Sequence, residues 1–359
     1  MIYSIYAQKD STIYEGSASL NTGIDEILEI SKTVVSNNAK FNTRALIKFD
    51  ITEISSSISS GKIASNAKFY LNLRATEAVE NASEYTLVAN PISQSWEMGQ
   101  GRKHSRPGTT IGVSWTNRTG ITKWVTSSFA PTTSGSFITN AGGGVWYTGS
   151  ANEGSQSFEY ELPDVRMDVS NIVRKWISGS ITNEGFIVKF TDEQEQNNEP
   201  LGQLKFFSTD THTIYPPRLE VAWDDAVFNT GSLQALTAEN FVLYTKNLKA
   251  EYKDNSKVLI RVLGRQKYPA RSFATSSAFL DIKYLPTSSL YSVRDSVTEE
   301  VIIPFDEDYT KLSCDGSGNY LNLWTKGLQL ERYYKFIFKV TRNSNEYLFD
   351  DGYYFKVVR

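Results

Sequence analysis

The chain has 359 residues, which sets a prior of about two or three domains and is ample length for cores that need no disulfide or metal. Its 37 Lys and Arg against 40 Asp and Glu leave a net charge of −3, which removes both the basic footprint of a dedicated nucleic-acid binder and the acidic bias of a solvating tail. A single cysteine, Cys314, excludes an intramolecular disulfide and a cysteine-rich zinc site, and two histidines, His104 and His212, leave few groups for acid–base or metal chemistry.

The opening MIYSIYAQKDSTIYEG has no basic segment followed by an apolar one, so no secretory signal is expected and the reading is a fold made in a reducing cytosol. No apolar run reaches the roughly eighteen residues of a membrane helix. Strand signals dominate from there on: Arg44–Asp50 (RALIKFD), Ala67–Leu73, Gly185–Phe190, Arg218–Ala222, Val258–Leu263 and Tyr334–Val340. In RALIKFD, alternation places Ala45, Ile47 and Phe49 on one side and Arg44, Leu46 and Lys48 on the other.

A loop-rich insertion runs from about residue 99 to 154, and a stretch of that length is read as a partner-ordered arm. Its GRKHSRPG run offers Arg102, Lys103, His104 and Arg106 as contacts to an acidic partner or phosphate. Trp124 and Trp146 lie inside the insertion, where exposure is expected, and are candidates for contact with a partner or with a glycan ring. Gly142-Gly143-Gly144 is not followed by the Lys-Ser/Thr of a phosphate cradle.

One helix is expected, over Asp168–Gly179. Val169, Ile172, Val173, Trp176 and Ile177 make one apolar stripe, Asp168 or Ser170 is the N-cap, and Gly179 ends it. Thr191–Pro200 (TDEQEQNNEP) reads as a solvated loop. A domain boundary falls near Asp224–Ser232, and beyond it Asp315–Asn319 is a hairpin turn and Tyr353–Val358 a strand. Acidic side chains near strand ends (Asp10, Asp25, Glu26, Asp50, Asp224, Asp225) are donors of the kind calcium uses, but no EF-hand spacing links them. Adjacent carboxylates such as Glu159 with Glu161, Asp192 with Glu193 and Glu299 with Glu300 do not define the cleft that a glycosidase needs.

Asn21-Thr22-Gly23, Arg44–Asp50, Trp96-Glu97, Asp168–Trp176, Asn183–Gly185 and Pro217–Leu219 follow one another in an order and approximate spacing that resembles the jelly-roll domains named for a DNRLRE motif, relatives of some carbohydrate-binding modules. That pattern has an N-x-G turn, an R-x-L/I-x-x-F-D strand, a W-x-E element, a D-V/T-x-x-V-x-x-W helix, an N-x-G strand and a P-x-L ending. The chain departs from it at Ser65-Asn66-Ala67, which carries one extra residue. The C-terminal phrases, VIIPFDEDYTKLSCDGSGNYLNLW and DGYYFKVVR among them, look like the terminal domains of virion structural proteins from large tailed phages, notably cyanophages.

The resulting expectation is an all-β chain: an N-terminal jelly-roll β-sandwich with one short helix over residues 1–225, then a smaller immunoglobulin-like β-sandwich over 226–359. The resemblances imply a non-enzymatic virion structural protein of a tailed phage, made in the host cytoplasm and acting in the tail, neck or baseplate region or decorating the head. Its partners would be other virion proteins in a symmetric multi-copy assembly, with no catalytic residue, cofactor, metal, membrane or nucleic acid. The alternative is a carbohydrate-binding module that attaches a particle or enzyme to surface polysaccharide.

Overall fold

The structure, a computed structural model, describes residues 1–35, 39–105, 107–108, 111–124, 133–135, 142–160, 163–269 and 282–359. The protein is all-β and divides into two compact units. The N-terminal unit comprises Ile5–Lys62 and Lys68–Glu220. The C-terminal unit comprises Met1–Ser4, Ile63–Ala67 and Val221–Arg359, and so includes Trp223.

The first fourteen strands are β1 (Ile2–Tyr6), β2 (Lys9–Tyr14), β3 (Ile27–Val35), β4 (Ala39–Lys48), β5 (Lys68–Leu73), β6 (Ala75–Val79), β7 (Glu84–Pro91), β8 (Thr133–Gly135), β9 (Val145–Tyr147), β10 (Gly154–Glu159), β11 (Val165–Asp168), β12 (Phe186–Phe190), β13 (Gly202–Phe207) and β14 (Arg218–Ala222). One sheet has the order β10-β7-β12-β4-β3-β13-β6, with β2 also on β4, and another has the order β1-β14-β5-β11. β5 shows the half-buried alternation expected of a sandwich strand: Phe69, Leu71 and Leu73 are buried, while Lys68, Tyr70 and Asn72 are partly open.

The expected helix is present as an α-helix over Ser170–Ile177. Ile172, Val173 and Trp176 are buried, and Gly179 supplies the left-handed residue (φ 74°) after the last turn; the N-cap is Val169, with no side-chain cap, instead of the expected Asp168 or Ser170, and the Asp168 carboxylate accepts from the Ser170 amide at 2.8 Å. The Trp176 ring meets Phe186 at 4.6 Å, which ties the helix to β12, and the Ser170 hydroxyl accepts from the Phe69 amide at 2.9 Å, which ties it to β5.

Two further helices correct the expectation of a single one. Thr52–Ser59 follows β4, with Ile54 buried. Asp192–Gln196 replaces the solvated loop read at TDEQEQNNEP, and its Glu195 is buried. Among the described residues the α-helices are, in chain order, α1 (Thr52–Ser59), α2 (Ser170–Ile177) and α3 (Asp192–Gln196).

The remaining strands are β15 (Gln234–Ala235), β16 (Phe241–Thr245), β17 (Glu251–Lys253), β18 (Lys257–Gln266), β19 (Lys283–Tyr284), β20 (Ser289–Asp295), β21 (Val301–Ile303), β22 (Ser313–Asp315), β23 (Gly318–Trp324), β24 (Tyr333–Arg342) and β25 (Asn345–Val358). They form two sheets, β15-β19-β18-β23-β22 with β16 on β18, and β17-β25-β24-β20-β21. Phe241 of the first sheet packs on Tyr347 and Phe349 of the second, each at 5.2 Å, and the Tyr353 hydroxyl donates to Leu243 O at 3.0 Å. The DGSGN hairpin forms as expected, with Asp315 opposite Gly318.

Candidate functional site

The insertion folds back onto the sheet, and this overturns the exposure expected of its tryptophans. Trp124 and Trp146 are 3% and 2% exposed. With Trp96, Trp115, Ile92, Val113 and Val145 they form an apolar cluster on Ile13, Leu46 and Ile187. Two large indoles left in water would forgo several kcal/mol of burial, and the sheet face beneath them would remain wet. β4 is therefore covered on both faces: Leu46 and Arg44 are as buried as Ala45 and Ile47. The alternation read in RALIKFD is one of direction, and it separates two cores rather than core from solvent.

Arg44 sits 1% exposed at the edge of the tryptophan cluster. Its Nε and Nη2 donate to the two Glu195 oxygens at 2.8 and 2.5 Å, and its Nη1 donates to Gly143 O at 2.7 Å. The guanidinium also faces the Trp115 and Trp146 rings, 4.8 and 5.1 Å from their centroids. Lys189, equally buried, donates to Asp192, lies 3.6 Å from Glu195 and is 5.0 Å from the Trp146 ring. Two cations and two carboxylates thus satisfy one another beneath the insertion.

Gly142, Gly143 and Gly144 all have positive φ (90°, 83° and 93°), and a Cβ at Gly142 would lie 2.2 Å from Trp115 O. The glycine run lets the backbone approach closely enough for Gly143 O to reach Arg44.

α3 is held from both ends. The Thr191 hydroxyl accepts from the Gln194 amide at 3.2 Å as an N-cap. The buried Lys32 ammonium donates to Asn197 O at 2.8 Å and to Gln194 O near the other end, and burial pushes its pKa down. Sequence reasoning missed Glu195 because the run around it is uniformly polar. The signal available was Thr191 followed three residues later by Gln194, a capping-box spacing.

The GRKHSRPG residues are placed separately. Lys103 Nζ pairs with Glu29 at 2.7 Å, and its amide donates to Asp25 at 3.2 Å. Arg102 Nε donates to Ile24 O at 3.0 Å, and His104 is exposed. Arg106 lies outside the described residues, as do Glu161 and most of SSFAPTTSGS. Asn21, from the expected N-x-G turn, organises this region: Nδ2 donates to Met98 O (2.7 Å) and Val113 O (2.8 Å), and Oδ1 accepts from the Gly101 amide (2.8 Å).

Lys9 stands 4.1 Å over the Trp96 ring, and burial lowers its pKa to about 8. Asp10, 1% exposed, accepts from the Thr209 amide and hydroxyl at 2.7 and 3.0 Å, yet burial raises its pKa to about 7. His212 is 87% exposed, 3.7 Å from Glu26. Among the described residues no three His, Cys, Asp or Glu side chains converge as metal ligands.

The C-terminal unit holds an open groove of about 590 Å³. Phe228 supplies exposed apolar surface over the buried Leu290 and Leu312, Thr287, Ser288 and Thr341 supply hydroxyls, and Asp224, Glu307, Asp308 and Glu346 oppose Lys311 and Lys339. Leu290 lies opposite Lys339 across β20 and β24, so the groove sits on the face of that sheet turned away from Phe336 and Phe338, which are fully buried.

On this side β24 runs through Ile337 and Lys335, both 6% exposed, to Tyr333, while the exposed surface follows β25 from Leu348 past Asp350, where the register shifts, to Tyr354 and Lys356. Tyr333, Tyr354 and Leu348 are 54%, 51% and 65% exposed. The lysines between them are paired: Lys335 with Asp350 (2.7 Å) and Glu299 (2.9 Å), Lys339 with Glu346 (3.1 Å), and Lys356 with Glu331.

Set against family models and against curated proteins, the chain matches none.

Proposed function

We propose that the protein is a non-enzymatic structural protein of a tailed-phage virion, acting in the tail, neck or baseplate region or decorating the head, and that its N-terminal unit is a DNRLRE-type jelly roll. The observation that supports docking is an apolar strip in solvent on the β3–β4 pair. Val35 is 48% and Phe41 38% exposed. They share a face, since Phe41 lies opposite Thr33 and Val35 opposite Ala39. A neighbouring subunit would remove this strip from water, and repetition in a symmetric assembly would turn a weak contact into avidity.

The unit behind the strip is rigidly built, because the insertion is clamped by buried tryptophans and by the Arg44–Glu195 pair. The test is gold-labelled antibody on intact particles of the source virus, together with a Val35→Asp/Phe41→Asp variant. Label at a defined particle location, and incorporation reduced about tenfold with an unchanged melting temperature, is expected from the loss of a contact of about 1.4 kcal/mol. Unlabelled particles would refute the virion assignment. Normal incorporation of the variant would refute the strip.

A further inference from the structure

We infer that the C-terminal unit carries a binding site for a neutral glycan chain, extending from the groove at Leu290 and Lys339 along the sheet face to Tyr333 and Tyr354. The inference goes beyond the virion assignment and does not depend on it. Sugars present two kinds of surface: flat patches of C–H that stack on aromatic rings, and hydroxyls that need paired acceptors and donors.

The face supplies both. Tyr333 and Tyr354 are diagonal neighbours, because Tyr333 is opposite Lys356 and Tyr354 opposite Lys335. Both rings are about half exposed, with Leu348 extending the apolar surface towards the groove. In the groove, carboxylates and threonine and serine hydroxyls stand beside the exposed ring of Phe228. From Thr341 to Tyr333 the strand advances roughly 25 Å, the length of several sugar rings, and the exposed side chains beside it come from β25: Leu348, Asp350 and Tyr354.

Charge decides the class of glycan. The groove sets four carboxylates against two lysines, and the lysines of the tyrosine face are already held by Asp350, Glu299 and Glu331. A polyanionic chain would meet surplus negative charge in the groove, while Arg294, opposite Lys335 on β20, is a cation of this face that stands outside those pairs. A neutral chain meets carboxylate oxygens that accept sugar hydroxyls without charge repulsion.

The experiment is affinity gel electrophoresis of the full chain in mixed-linkage β-glucan, galactomannan and starch, with polygalacturonate and alginate as acidic counterparts, alongside sedimentation to fix the oligomeric state. At least one neutral polymer is expected to retard the protein, and the acidic ones are not. Tyr333→Ala/Tyr354→Ala should weaken retardation at least tenfold. Tyr333→Phe/Tyr354→Phe should keep most of it, because stacking uses the ring and not the hydroxyl. Leu348→Glu, a surface change, gives a second reading should the alanine pair fail to fold, and is expected to abolish retardation.

No retardation by any of the neutral polymers, preference for the acidic ones, or unchanged binding by the variants would overturn the inference. So would a dimer that dissociates when the tyrosines are removed, which would assign the face to a second copy of the chain.

Discussion

Removing the Glu195 carboxylate tests the account of the insertion most directly. In Glu195→Ala the two oxygens that receive Arg44 at 2.8 and 2.5 Å are lost, and the guanidinium stays 1% exposed with Gly143 O, two indole faces and the Coulombic attraction of Glu15. Lys189 loses a carboxylate 3.6 Å away and keeps Asp192. Deleting one partner of a buried ion pair leaves a charge that water cannot reach, at a cost of about 3–5 kcal/mol. In a domain of this size that corresponds to a melting temperature lower by roughly 6–20 °C.

Thermal and urea unfolding followed by tryptophan fluorescence is the assay. Trp115 and Trp146 flank Arg44 and would shift to the red as the insertion loosens. Glu193→Ala, on the exposed side of the same short helix, is the control and should change stability by no more than about 0.5 kcal/mol. If the two variants unfold together, the insertion is not held by this pair and the reasoning fails.

Asp10 gives the N-terminal unit a distinctive pH dependence. Its folded-state pKa, about 7, lies above the ordinary value of 3.8, so the folded protein binds the extra proton; the contribution is full below pH 4 and disappears as pH rises through 7. Asp10→Asn should flatten the fall in urea midpoint between pH 4 and 7, and an unchanged slope would show that Asp10 is not its source. Asn21→Ala should lower stability by about 2–4 kcal/mol, because two carbonyls and the Gly101 amide lose buried partners at once. Hydrogen exchange at Gly101 should quicken in step, and an unaltered rate there would contradict the role given to Asn21.

The local chemistry of the chain was legible wherever a short segment sees one environment. RLEVA and the DGSGN turn each fix their own geometry by side-chain shape and turn chemistry, and the stripe from Val169 to Trp176 fixes a helix by its period. Trp96, Trp115 and Trp176 hold positions that the family resemblance assigns to the core, and they are buried.

What only the tertiary structure decided is which surfaces are covered twice. RALIKFD reads as half-buried because alternation reports side-chain direction and is silent on whether a second layer lies above. The layer is an insertion rich in glycine, serine and threonine, with no period of its own, so Trp124 and Trp146 looked exposed and Glu195 looked solvated. Glu195 and Lys189 are close in sequence, but the burial of both depends on Arg44, 151 positions from Glu195, and no window of sequence contains that pairing. The sheet face that bears Tyr333 and Tyr354 is the converse case. Alternation in YYKFIFKV gives the direction of each side chain, while the pairing of β24 with β25 decides that the two tyrosines stand side by side in water.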